Sequence, residues 1–338
     1  MKLNSSLHLS SKIFDKDIEK EKTRVGYGEG LVEAGEKNEN VVALCADLTE
    51  STYTHLFKEK FPERFVQMGV AEQNMATVAS GMAAAGKVVF MASYATFSPG
   101  RNNEQIRTTI SYNSWGSEKG REINVKIAGS HAGISVGPDG ATHQALEDVA
   151  LMRVQPGMTV IVPTDKHEAR RATVAAAEHA GPVYIRFGRA SYPVITTEKT
   201  PFEVGRAYVL AAGKDVTILA NGPLVHKALL AAAKLEEEGI SCEVINCPTV
   251  KPLDEATIVA SVQKTGALVT AEEHQILGGL GSAVAELLAQ KHPVPQEFIG
   301  VRDRFGESGE AEELFEAFKM GVDDIIQAAQ RARERSRK

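Results

Sequence analysis

VVALCADLTES, residues 41–51, sets a five-residue run of β-formers directly against a loop that holds an acid, a large apolar side chain and hydroxyls. The same pairing recurs downstream: short β-rich runs lie at 64–68, 87–91, 123–129, 158–162 and 182–187. Helix-like segments that begin near Glu72, Arg101, His143 and Asp165 separate them. Strands alternating with helical stretches of about 10–15 residues predict an α/β fold built on a mainly parallel sheet covered on both faces. Asp165, after Pro163-Thr164, is the expected N-cap of the Ala-rich helix that Gly181-Pro182 ends.

The alternation continues beyond a break. Residues 191–206 carry prolines and threonines without helical period and read as a linker. A second, smaller α/β set then follows, with β-rich runs at 215–221, 240–247, 267–273 and 297–301 and helices near 225–238, from Asp254, and near 281–290. The expected organisation is an arm at 1–22, a first α/β domain at 23–190, the linker, and a second α/β domain at 207–338. The arm ends in a charge run, DKDIEKEK, and is expected either to be a solvated tail or to wrap a partner.

The 338 residues suffice for about two domains of ordinary size. With 43% hydrophobic and 24% charged residues there is ample apolar surface to bury, so disorder is not expected. The formal charge of −6 lacks the basic surplus of a nucleic-acid or anionic-membrane binder, so any anionic ligand must be held by local positive charge. No run approaches the ~18 apolar residues of a membrane helix, and MKLNSSLHLSSK lacks the apolar stretch of a secretory signal. Three cysteines, Cys45, Cys242 and Cys247, without close spacing suit a reducing, cytoplasmic setting and offer no zinc site.

In open parallel sheets ligands sit beyond the carboxyl ends of strands. Four loops there carry candidate chemistry. The first is Asp47-Leu48-Thr49-Glu50-Ser51. The second, Gly69-Val70-Ala71-Glu72, turns a strand into a helix rich in small residues. There burial would raise the Glu72 pKa and the helix N-terminus would lower it. The third holds Tyr94 and Phe97, three apart, before Arg101. The fourth runs from Gly129 to Gln144 and brings His131, Asp139 and His143 into a segment too rich in glycine for a helix or strand. Ordering such a loop costs conformational entropy, which argues for function.

These four loops, in this order, resemble the transketolase family, through ADLTES, GVAEQNMA and GPDGATHQ. The likeness is to the carboxyl-terminal part: the pyrimidine-binding domain followed by the small terminal domain. It implies thiamine diphosphate as cofactor and transfer of a two-carbon ketol unit from a ketose phosphate to an aldose phosphate. It implies that Glu72 bonds the pyrimidine N1′ and that Asp47, Leu48, Val70, Tyr94 and Phe97 line the cofactor. His143, His131 and Asp139 would act at the sugar hydroxyls, and Arg24, Ser51, His131 and Arg186 would hold the substrate phosphate. Arg101 has no secure counterpart.

The family also holds the diphosphate through a divalent cation on a Gly-Asp-Gly segment, and none occurs here; no metal ligand is expected on this chain. A split enzyme follows as the expectation. A separate amino-terminal subunit would carry Mg²⁺ or another divalent cation and the diphosphate, in an α2β2 heterotetramer. The alternatives are the β subunit of a 2-oxo acid dehydrogenase and a non-catalytic relative. Glu272-Glu273-His274, at a strand end of the second domain, is expected to be an interface or capping cluster.

Overall fold

The structure is a computed structural model and describes residues 1–118 and 122–337. It contains two mainly parallel α/β sheets. The first has seven strands, in the order Thr249–Lys251, Thr159–Ile161, Val183–Arg186, Val125–Ser130, Val88–Tyr94, Val41–Cys45, Phe65–Gln67. Six of them run parallel. The seventh, Thr249–Lys251, lies antiparallel at the edge and arrives from the second domain's stretch of chain. The second sheet has the order Gln296–Val301, Leu268–Gln275, Val216–Ala220, Cys242–Asn246, Tyr208–Ala211, with the last strand antiparallel. The central strands Val41–Cys45 and Val125–Ser130 are buried along their whole length, as strands covered on both faces must be.

The helix Thr23–Lys37 contains four glycines, each of which costs about 1 kcal/mol against alanine in a helix. Packing repays this. A Cβ at Gly26 would stand 1.9 Å from the Lys166 carbonyl oxygen, so the backbone lies directly on the helix Lys166–Glu178. That contact fixes Arg24, two residues earlier, over the sheet's carboxyl edge. Asp165 caps the second helix, its Oδ1 accepting from Glu168 N at 3.0 Å.

The amino-terminal arm is ordered against this chain's own second domain. Asn4 N donates to Leu210 O (2.8 Å), and Leu7, Ile13 and Ile18 are buried in the second domain's core. Lys20–Lys22 then pairs antiparallel with Ser191–Pro193, so the prolines and threonines read as linker include a short strand. Two expected helices start late. The segment after Arg101 becomes helical at Asn103, and the one sought near His143 begins at Asp148, because residues 140–146 form tight turns. Among the described residues no helix is long and apolar enough to cross a membrane.

Candidate active site

Three adjacent strands, Val41–Cys45, Val88–Tyr94 and Val125–Ser130, end together, and their loops converge at the carboxyl edge. Glu72 opens the helix Glu72–Ala84 and is only 1% exposed. Arg101 donates to its Oε2 at 2.7 Å, Ser93 Oγ donates to Oε1 at 3.3 Å, and Asn102 Nδ2 holds its carbonyl at 3.1 Å. Burying a carboxylate requires such partners. The Arg101 guanidinium also lies 4.7 Å from the centre of the Phe97 ring. Arg101, itself 46% exposed, thus links the buried Glu72 carboxyl to the half-buried Phe97 ring.

The aromatics and histidines form one cluster. Tyr94 stacks on His131 with ring centres 3.9 Å apart and lies 6.3 Å from Phe97. His143 meets Phe97 edge-on at 5.6 Å. His131 holds a left-handed backbone (φ 54°), and Ser130 Oγ is 2.8 Å from its Nδ1. Burial, together with Arg24 and Arg189, pulls the His131 imidazole down to about 2. It is therefore a neutral hydrogen-bonding ring at physiological pH. His143 is half-buried, and Thr142 Oγ1 is 2.9 Å from its Nδ1.

Positive charge surrounds this cluster. Arg24 is 5% exposed and donates to the carbonyls of Ser51, Gly188 (3.2 Å) and Arg189 (2.8 Å). Burial lowers its guanidinium pKa, with Tyr53, Tyr192 and Tyr94 opposing and Arg189 adding to the fall. Arg189 donates to Val136 O at 3.2 Å. Arg24, Arg189 and Lys22 all act electrostatically on His131, an arrangement that favours an incoming anion.

Arg186 does not join them. It is the last residue of its strand and is enclosed, pairing with Asp148 at 2.8 Å, with Nη2 on the Ala145 and Glu273 carbonyls. Arg189, three residues on and past the strand end, is the arginine of this segment that acts on His131. Ser51 offers Arg24 its carbonyl and is half-buried. Leu48 is half-buried against the first domain's core. Asp47 (φ 61°), Val70 (71% exposed) and Asp139 are exposed and stand outside the ring cluster. Arg101 as the partner of Glu72 was not foreseen, since nothing in sequence spacing ties positions 29 apart.

Two family descriptions match the chain: the transketolase pyrimidine-binding domain over residues 19–194, and the transketolase C-terminal domain over residues 205–325. A Methanocaldococcus jannaschii protein provisionally named a transketolase C-terminal section is 45% identical over 305 residues, covering 89% of this chain and 93% of its own. The 6-deoxy-6-sulfo-D-fructose transketolase subunit of Clostridium sp. strain MSTE9 is 42% identical over 322 residues, covering 95% and 98%. A solved split-gene transketolase, described as an inactive β4 tetramer, is 46% identical with a TM-score of 0.86, covering 94% of this chain and 99% of that one.

Proposed function

The chain belongs to the transketolase family of thiamine-diphosphate-dependent enzymes, and from that premise we propose that it forms the pyrimidine-facing half of a ketol-transfer site completed by a second polypeptide. The observation that carries this reading is Glu72: a carboxyl group 1% exposed, at the start of a helix, paired with Arg101, whose guanidinium lies 4.7 Å from the Phe97 ring centre.

These residues fit the ring end of the cofactor. Glu72 would offer an acceptor oxygen to a ring nitrogen and Phe97 a face to stack on, with Tyr94 continuing the aromatic wall and Leu48, in the first loop, adding apolar surface that would exclude water. When bound, thiamine diphosphate supplies the electron sink that carbon–carbon cleavage of a ketose needs and no side chain provides. Glu72 would hold a proton shared with the ring nitrogen. His143, half-buried among aromatics, is placed to move protons at sugar hydroxyls, with Asp139 nearby in sequence on the same loop. His131, kept neutral, would orient the sugar by hydrogen bonding. Arg24 and Arg189 would receive the substrate's terminal anion, which the reading takes as phosphate, through charge-assisted bonds. That cation cluster favours a phosphorylated sugar over the small 2-oxo acid of a dehydrogenase β subunit.

The diphosphate end does not fit this chain. Among the described residues no group of three His, Cys, Asp or Glu side chains could hold a metal ion. A partner subunit carrying the divalent cation, Mg²⁺ in this reading, and the diphosphate completes the site in an α2β2 assembly. The solved relative consisting only of this kind of chain is described as inactive, which agrees with that division. The three cysteines are all free and buried, in keeping with a cytoplasmic protein. Purifying the tagged chain from its own cells tests the pairing. Recovery of a second chain with a Gly-Asp-Gly diphosphate segment is expected; repeated recovery of this chain alone would count against it.

A further inference from the structure

The second domain reaches into the site. Glu272-Glu273-His274 ends the strand Leu268–Gln275, and its members divide their work. Glu272 caps the helix Leu280–Lys291, accepting from Leu280 N (2.7 Å) and Gly281 N (2.8 Å), as a capping cluster would. Glu273, 2% exposed, points the other way, out of its own domain. Its Oε1 accepts from Ser135 N at 2.6 Å, inside the loop that carries His131, Asp139 and His143. Ser135 Oγ lies 2.6 Å from the Tyr192 hydroxyl, which closes the contact from the far side.

The approach is as close as chemistry allows. Gly133 sits at φ 88°, and a Cβ there would stand 2.3 Å from the Glu273 carboxyl carbon. The same loop is held by the second domain at two more points. Gln144 Nε2 donates to Glu307 O at 2.9 Å, and a Cβ at Gly137 would come within 3.1 Å of Gly309 O. The strut is itself anchored: the Glu273 carbonyl accepts from Arg186 Nη2 (2.8 Å), and Arg186 is locked to Asp148. This explains why Arg186 is enclosed. It belongs to the frame behind the loop.

We infer that Glu273 is a positioning residue for ketol transfer: the second domain uses it to fix the backbone of residues 131–140, so that His131 and His143 meet the sugar at a set distance. The inference rests on the reading of that loop as sugar-facing. A glycine-rich loop cannot fix its own geometry, and misplacing a reacting group by about 1 Å costs about 10²-fold in rate.

Glu273→Ala, Glu273→Asp and Glu273→Gln are compared in the full chain, with Glu272→Ala as the control that disturbs the same strand end without touching the loop. Hydrogen exchange of the peptide spanning 131–145 is read first, on the chain without its partner. It should quicken at least tenfold in Glu273→Ala and Glu273→Asp, and stay near wild type in Glu273→Gln, whose amide oxygen keeps the bond to Ser135, and in Glu272→Ala. In the reconstituted two-chain enzyme, Glu273→Ala and Glu273→Asp should lower kcat/KM about 10²-fold, mostly through kcat. Glu273→Gln should stay within about threefold, and so should Glu272→Ala. Unchanged loop exchange in Glu273→Ala overturns the inference, as does loosened exchange with unchanged kinetics, or an equal kinetic loss in Glu272→Ala. If the wild-type pair shows no ketol transfer, the functional reading fails, while the exchange data still decide whether Glu273 braces the loop.

Discussion

Arg101 donates a 2.7 Å hydrogen bond to the buried Glu72 carboxylate while its own side chain stays half exposed beside Phe97. Arg101 holds one carboxyl oxygen and Ser93 the other, so a ring nitrogen bound there would share Glu72 with them. Glu72→Ala is expected to lower ketol transfer by the reconstituted enzyme by at least about 10²-fold, the scale of a lost proton-handling group. Assembly should persist, because the freed Arg101, already 46% exposed, can hydrate. Donor consumption and size-exclusion chromatography check the two halves; near-normal donor consumption would remove Glu72 from its role.

The two arginines of the Arg186–Arg189 segment should behave oppositely. Arg189→Ala is expected to raise KM for phosphorylated sugars well beyond that for unphosphorylated ones, with little change in stability. Arg186→Ala leaves Asp148, 1% exposed, without its cation and should cost about 3–5 kcal/mol of folding stability. Urea melts and paired KM values check this. A selective KM effect from Arg186→Ala without destabilisation would favour Arg186 as the phosphate contact instead.

Two buried carboxyls should contribute stability that is lost as pH rises through the acid-to-neutral range. Burial, and then Asp165, pushes the Glu168 carboxyl from 4.5 up to about 7, despite donors from Thr164 N and Asn246. Burial likewise pushes Glu273 up to about 7. Between these limits the folded chain holds protons that the unfolded chain has released. Their contribution is complete below about pH 4.5 and lost as pH passes about 7. At about 1.4 kcal/mol per unit, Glu168 accounts for about 3 kcal/mol. Relative to wild type, Glu168→Gln should lose about 2 kcal/mol of the pH-dependent change between pH 5 and 7.5, measured by urea unfolding; identical pH dependence in the two proteins would contradict it.

The arm should matter to this chain's own stability. Ile13 is 1% exposed in the second domain's core, and its carbonyl oxygen lies 2.9 Å from His226 Nε2. Ile13→Ala is expected to cost about 2–5 kcal/mol and to make the arm the first segment cut in limited proteolysis. A neutral substitution would return the arm to a solvated role.

The alternation of β-rich runs and helical stretches made the two-sheet architecture legible, and local chemistry placed Asp165 at its cap. What lay beyond reach were pairings between distant positions. Thr249–Lys251 reads as part of the second domain, yet its hydrogen bonds go to the first sheet. Lys20–Lys22 pairs with Ser191–Pro193 across the whole first domain, which turned an apparent tail and linker into a clasp. At the site, Tyr94, Phe97, His131 and His143 could be named from their loops, and they do converge. The roles of Arg101, Arg189 and Glu273 could not be read there, because they depend on which side chain faces the edge of the sheet and which carboxyl crosses from another domain. No periodicity encodes either.

The most direct measurement is ketol transfer from a ketose phosphate, with thiamine diphosphate and Mg²⁺, by this chain alone and then mixed with a separate chain bearing the diphosphate and cation site. The account predicts no turnover from the single chain and robust turnover from the pair. Comparable turnover by the single chain would contradict it.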